Sequence, residues 1–185
     1  MTSIVAVCNR ALSKIGDELI IISLDDETKP ARYCKALYPD TRDFVLRSYP
    51  WRFALKRYIL APLKEKPLFG YDYQFVVPSD CLRVWKTQEQ QRYQVEGRYI
   101  LADQNIFAFI GISKIEDTAQ FDPMFVEALS LRLAAELAVP LTASVSLKEN
   151  LTKEYQQFVQ QAKTASAMEG IQDIYAPQGW LEARV

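Results

Sequence analysis

Asp40-Thr-Arg-Asp-Phe-Val-Leu-Arg-Ser-Tyr-Pro-Trp-Arg-Phe-Ala-Leu-Lys-Arg57 carries two backbone periods back to back. In its first half Leu37, Thr41, Phe44 and Val45 fall near one face at helical spacing, with Arg42 and Asp43 beside them. Pro50 bars continuation of that helix, because its ring removes a backbone donor and pushes Tyr49 towards an extended conformation. Beyond it Phe53, Leu55, Arg57 and Ile59 alternate with Arg52, Ala54, Lys56 and Tyr58, which is strand spacing. Pro50, Trp51 and Phe53 therefore read as a structural joint between a helix and a strand. Trp51 is expected at the corner as a large buried wedge, since aromatic side chains mostly serve as packing mass.

Upstream, the pattern predicts two helices. Ser3 caps the first, with Ile4, Val7, Cys8, Ala11, Leu12 and Ile15 on one stripe, Asn9, Arg10, Ser13 and Lys14 on the other face, and Gly16 as its stop. Residues 18–28 read as a loop with a short extended Leu-Ile-Ile-Ile piece. Pro30 then opens a second helix to Ser48, with Thr28 or Lys29 before it.

Downstream, the pattern is strands and turns as far as Ile112. Arg52 to Leu60, Tyr73 to Val77, Leu82 to Thr87, Tyr93 to Val95, Arg98 to Leu101 and Asn105 to Ile112 form short runs divided by turns. Glu96-Gly97 is expected as a two-residue hairpin turn. Such spacing suggests an antiparallel sheet or small barrel. Helices resume at Asp122-Pro123, a cap followed by proline, and this helix is expected to end at Pro140. A last helix should begin with the capping box Ser146-Leu-Lys-Glu149 and present Leu147, Leu151, Tyr155, Phe158, Ala162 and Ala165 on one stripe, with Gly170 closing it.

The resulting expectation is an α+β chain: a helical body of about four helices (1–50 and 121–170), an inserted antiparallel β-rich part (51–113) and an extended C-terminal arm (171–185). That arm carries Ile174, Tyr175, Trp180 and Leu181 without periodicity. Aromatic anchors on such a segment suit docking on another protein, and these four are the candidate interaction residues. The alternative is a tail folded back on its own sheet or left loose.

Composition narrows the function. The 185 residues include 49% hydrophobic and 24% charged side chains, enough for a real core, and the formal net charge is -1. No global basic field exists to hold nucleic acid by its phosphates. Histidine is absent, which removes the commonest general acid–base group near neutral pH and the commonest metal ligand. Cys8, Cys34 and Cys81 are widely spaced with no Cys-x-x-Cys pair, so neither a zinc site nor a disulfide framework is indicated and a reducing compartment fits. Neither a signal peptide nor a membrane span is read, which predicts a soluble protein made in the cytoplasm.

Chemistry has few candidates. Asp25, Asp26 and Glu27 are the densest acidic cluster, and Asp40 with Asp43 the second; paired carboxylates of this kind can hold a divalent cation. The plainer reading is loop capping for the first and a solvated helix face for the second. Ser23, Ser79, Cys34 and Cys81 would need a positioned base to act as nucleophiles. Arg42, Arg47, Arg52, Lys56 and Arg57 are expected to pair with Asp40 and Asp43 along a helix. No catalytic residue, metal or cofactor is assigned.

Three stretches resemble the head-to-tail adaptor family of tailed bacteriophages, the group that includes the tail tubular protein A of short-tailed phages. The first is Ala11-Leu12-Ser-Lys-Ile15-Gly16 followed by Ile22-Ser23-Leu24-Asp25-Asp26. The second is Ala31-x-x-Cys34-x-x-x-Tyr38-x-x-x-Arg42-Asp43-x-Val45-Leu46-Arg47-x-x-Pro50-Trp51-x-Phe53-Ala54. The third is Tyr73-Gln-Phe75-x-x-Pro78-x-Asp80-Cys81-Leu82-Arg83-Val84. The resemblance covers about the first half of the chain and rests on packing and turn residues. It implies a non-enzymatic virion protein in the tail or neck, assembled in the host cytoplasm. It further implies a ring of copies of itself, typically twelve, bound to the portal protein and to a tail nozzle or downstream tail protein. DNA would cross its channel without sequence-specific binding, and no membrane is involved. Two other readings are a small metal-dependent nuclease or hydrolase using Asp25, Asp26 and Asp43, and a non-viral module that binds a partner's peptide at a sheet edge.

Overall fold

Helix α3, Pro123–Thr142, is the hub of the computed structural model, which describes residues 2–16, 20–88 and 92–169 (backbone alone for 165–169). Its sequence is apolar on nearly every side, so it can be covered all round. Phe125, Leu129, Leu133 and Leu137 are fully buried among α1 (Ile4–Lys14), α2 (Lys29–Ser48) and α4 (Val145–Glu169), each of which packs on it. Ion pairs flank these contacts. Glu127 takes Arg10 at 3.3 Å and Lys14 at 2.6 Å, tying α1 to α3, and Glu136 is shared by Arg132 and Lys148, the latter from α4.

Local signals account for most helix ends. Ser3 accepts the Ala6 amide at 3.1 Å and Thr28 accepts the Ala31 amide at 3.3 Å, each covering a first-turn donor. Asp122 does the same for Met124 at 2.8 Å. Two expectations are corrected. Pro140 does not end α3: the helix runs to Thr142 and stops at Ala143, which takes the left-handed conformation at φ 56 and donates to the Val139 carbonyl. A proline in the last turn removes only one donor, and the side chain of Thr142 bonds back to Ala138. The cap of α4 is Ser144 rather than Ser146, since the Ser144 hydroxyl accepts the Leu147 amide at 3.2 Å. Helix α2 also continues through Pro39, at the usual cost of a lost backbone bond. Burial of Tyr38, Thr41, Val45 and Leu46 around it offsets that cost.

Between α2 and α3 the described residues form a 3-10 turn (Arg52–Ala54), then six strands, β1 Leu55–Leu60, β2 Tyr73–Val76, β3 Cys81–Thr87, β4 Tyr93–Glu96, β5 Tyr99–Ala102 and β6 Phe107–Ser113, and a second 3-10 turn (Thr118–Gln120). The first strand was expected from Arg52, but the 3-10 turn takes its first three residues. All pairing is antiparallel, in two three-stranded sheets of order β1-β6-β3 and β2-β5-β4. The hairpin turn is Gly97-Arg98, one residue later than expected; Glu96 pairs with Tyr99, and Gly97 at φ +58 takes the first turn position that favours glycine.

Strand alternation divides the first sheet's work. One face of β1 and β6 carries Tyr58, Phe109 and Phe107, which pack with Phe75, Ile100 and Ala102 of the second sheet as a small core of their own. Tyr58 stacks on its cross-strand partner Phe109 with centroids 4.9 Å apart. The other face begins with Leu55 and Ile112, which join the helical core. The β-part is thus seated on the helices by the base of one sheet, and its far end projects away. Residues 171–185 lie outside the described residues.

Candidate functional site

The chain reverses at the joint through two short bonds. The Trp51 amide donates to the Tyr49 carbonyl at 2.9 Å, closing a tight turn across Pro50, and the Ala54 amide donates to the Trp51 carbonyl at 2.9 Å. Trp51 is 4% exposed and its indole nitrogen donates to the Val45 carbonyl at 3.0 Å. Its ring meets Tyr49 and Phe125 edge to face at 4.9 and 5.4 Å. Phe53, half-buried, adds contacts to Phe125 at 5.1 Å and Phe121 at 6.0 Å. Five rings, from residues 49–53 and 121–125, therefore close over the start of α3, mostly in the edge-to-face arrangement that aromatic quadrupoles favour.

Arg42, expected to pair with Asp40 and Asp43 along the helix, is buried at 5% exposure. Its guanidinium holds Asp43 at 2.8 Å and Glu116 at 3.3 Å, and Lys114 bridges the same two acids at 3.7 and 2.9 Å. The segment after β6 is thereby clasped to α2. The Lys114 ammonium beside Glu116 holds that carboxyl below the usual range, and Glu116 in turn raises Lys114. Arg47 and Lys56 find their partners away from that helix. Arg47 donates to the Leu82 carbonyl while Arg83 returns a bond to the Arg47 carbonyl at 3.2 Å, and Lys56 pairs with Asp80 at 2.7 Å. Sequence spacing could not foresee these partners, because they come from segments 24 to 74 residues away.

The acidic cluster is spent on local structure. Asp26 accepts the amides of Ile22 and Ser23 at 2.8 and 3.0 Å, and Ser23 accepts the Asp25 amide at 3.1 Å. Asp25 pairs with Lys35 at 2.6 Å, whose hydrogen bond holds its carboxyl below the usual carboxylate range. The hollow beside them, about 220 Å³, includes Arg32 and Lys35 in its lining. Asp43 is taken up by Arg42 and Lys114, and Asp40 is exposed. Among the described residues no three His, Cys, Asp or Glu side chains are grouped as metal ligands.

The candidate nucleophiles are separated. Cys34 is buried beside Cys8, whose thiol is pushed up by its hydrogen bond with Cys34 and by burial. Burial also raises the Cys81 thiol, so neither Cys8 nor Cys81 is poised as thiolate. Ser79 is exposed in the turn before β3, and Ser23 serves the 22–26 loop. Ile174, Tyr175, Trp180 and Leu181 lie outside the described residues.

Asn9, read as a plain polar-face residue, has a definite task. Its side-chain amide donates to the Ile21 carbonyl and accepts the Ile21 amide, both at 2.9 Å. A helix side chain thus copies a strand neighbour and holds the Ile20–Ile22 piece, which buries Ile21 at 2% exposure.

Two surface hollows were not foreseen. One lies on the outer face of the β1-β6-β3 sheet, about 440 Å³, over Ile59, Ala108 and Ile110. The second, about 560 Å³, lies between the 67–71 loop and the β2-β5-β4 sheet. Among the described residues no helix is long and apolar enough to cross a membrane. In comparisons with known proteins, no family model and no curated protein matches the chain.

Proposed function

We propose that this protein is a structural head-to-tail adaptor: a ring-forming virion component that joins a portal to a tail and lines the channel DNA crosses. The observation that carries the reading is where the motif residues sit. Arg42, Asp43, Pro50, Trp51 and Phe53, which the chain shares with that family's pattern, form the clasp and the aromatic joint between helices and strands. The acids that would serve a nuclease are occupied by loop amides, Lys35, Arg42 and Lys114. A near-neutral chain also suits a conduit, which gains nothing from gripping phosphates.

The test is assembly. Purified full-length protein, alone and mixed with a portal, is imaged by negative stain and sized by light scattering. Rings stacked on the portal are expected, and deletion of residues 171–185 is expected to weaken docking while sparing the fold. A strict monomer that leaves the portal bare overturns the reading.

A further inference from the structure

The loop between β1 and β2 contains Pro67-Leu68-Phe69-Gly70, where two consecutive large apolar side chains stand 97% and 85% exposed. Gly70, at φ +87, supplies a backbone conformation that L side chains rarely adopt, and so shapes the tip. The loop lies against the β2-β5-β4 sheet. The other sheet carries the groove of about 440 Å³ on its outward face. Its floor is Ile59, Ala108 and Ile110, with Ile59 itself 77% exposed. Cross-strand register sets Arg57, Ile110 and Lys86 in one row, so two cations bracket the apolar floor.

We infer that the Leu68–Phe69 tip of one copy seats in the Ile59–Ile110 groove of the next. This rests on the ring reading above and names the surface that would close the ring. Size and polarity match: the groove is within the range that receives bulky apolar groups, and the tip offers two. Charge matches at the tip's C-terminal side, where Asp72 makes no ion pair among the described residues and neither does Arg57 at the groove. Lys64 and Lys66 precede the tip in sequence, whereas Asp72 follows it. Tip and groove share no residue, and the exposure of Leu68 shows that a copy does not fill its own groove. A contact between two different patches leaves each copy one free tip and one free groove, the heterologous geometry that propagates and closes into rings.

The test is sedimentation velocity of the full chain over a rising concentration series. Wild type is expected to move from monomer to species larger than a dimer. The tip variant Leu68→Asp/Phe69→Asp and the groove variant Ile59→Glu change exposed residues, and each should remain monomeric with unchanged circular dichroism. Mixed one to one, they should form dimers and nothing larger, because one intact tip–groove pair remains. Arg57→Glu should lose association at least tenfold, and adding Asp72→Arg should restore part of it. Assemblies that persist in both variants overturn the tip–groove contact while leaving the ring reading standing. A wild type that stays monomeric throughout the series also overturns the contact, and portal binding then decides the ring reading separately.

Discussion

The Trp51 indole donates to the Val45 carbonyl across 3.0 Å, six residues back, so the chain leaving α2 is fastened to the helix it has just left. That carbonyl belongs to the last turn, where helix acceptors lack intrahelical partners. Trp51 shares that acceptor with the Ser48 hydroxyl, which donates to it at 2.8 Å, and also turns the chain and packs on Phe125.

Trp51→Ala should cost roughly 3–5 kcal/mol of unfolding free energy, the range for deleting a buried large aromatic. Trp51→Phe should cost less, because it keeps most of the volume and loses the bond to Val45. Urea unfolding measures both. Unchanged stability with failed assembly would make Trp51 an interface residue instead.

Arg42→Met should destabilise by about 1–3 kcal/mol, less than the loss of a fully buried pair. The acids it leaves behind, Asp43 and Glu116, keep side-chain exposures of 29% and 67% and can rehydrate. Glu116→Gln should cost under about 1 kcal/mol, since Arg42 retains Asp43. A larger effect at Glu116 than at Arg42 would mean that the clasp is organised from the segment after β6.

Asn9→Ala should remove both bonds to Ile21 and destabilise by about 1–2 kcal/mol. Hydrogen exchange is the sharper readout. The Ile21 amide should lose its protection while amides within α1 keep theirs. Unaltered exchange at Ile21 would show that burial alone holds the segment.

Tyr38 supplies a pH prediction. Its hydroxyl is buried without a hydrogen-bond partner among the described residues, and burial pushes its pKa up to about 12 from an ordinary value of 10.0. The folded state thus holds this proton more tightly than the unfolded state. Its contribution is complete below pH 10 and is lost as pH rises from 10 towards 12, by roughly 1–3 kcal/mol. Tyr38→Phe should flatten part of that decline in urea midpoints and be neutral or slightly stabilising at pH 7, because it removes an unpaired polar atom. Tyr58 and Tyr155, also raised by burial, should retain the rest of the slope.

Sequence alone determined what local physics decides. The caps at Ser3, Thr28 and Asp122, the break at Pro50, the α+β class and the order of helices and strands follow from side chains acting on backbone a few residues away. Where a boundary slipped, as at Pro140, Ser144 and Gly97-Arg98, two neighbouring residues could each serve, and packing chose between them. Tertiary structure alone decided what long-range proximity creates. Arg42 gained a second acid because Glu116, with Lys114, returns to α2 in the segment after β6. Asn9 gained a task because Ile21 folds over α1. The groove exists because two sheets share one inner core and turn the Arg57–Ile110–Lys86 row outward. Periodicity states that a strand has two faces; only the neighbouring sheet and helices decide which face they cover.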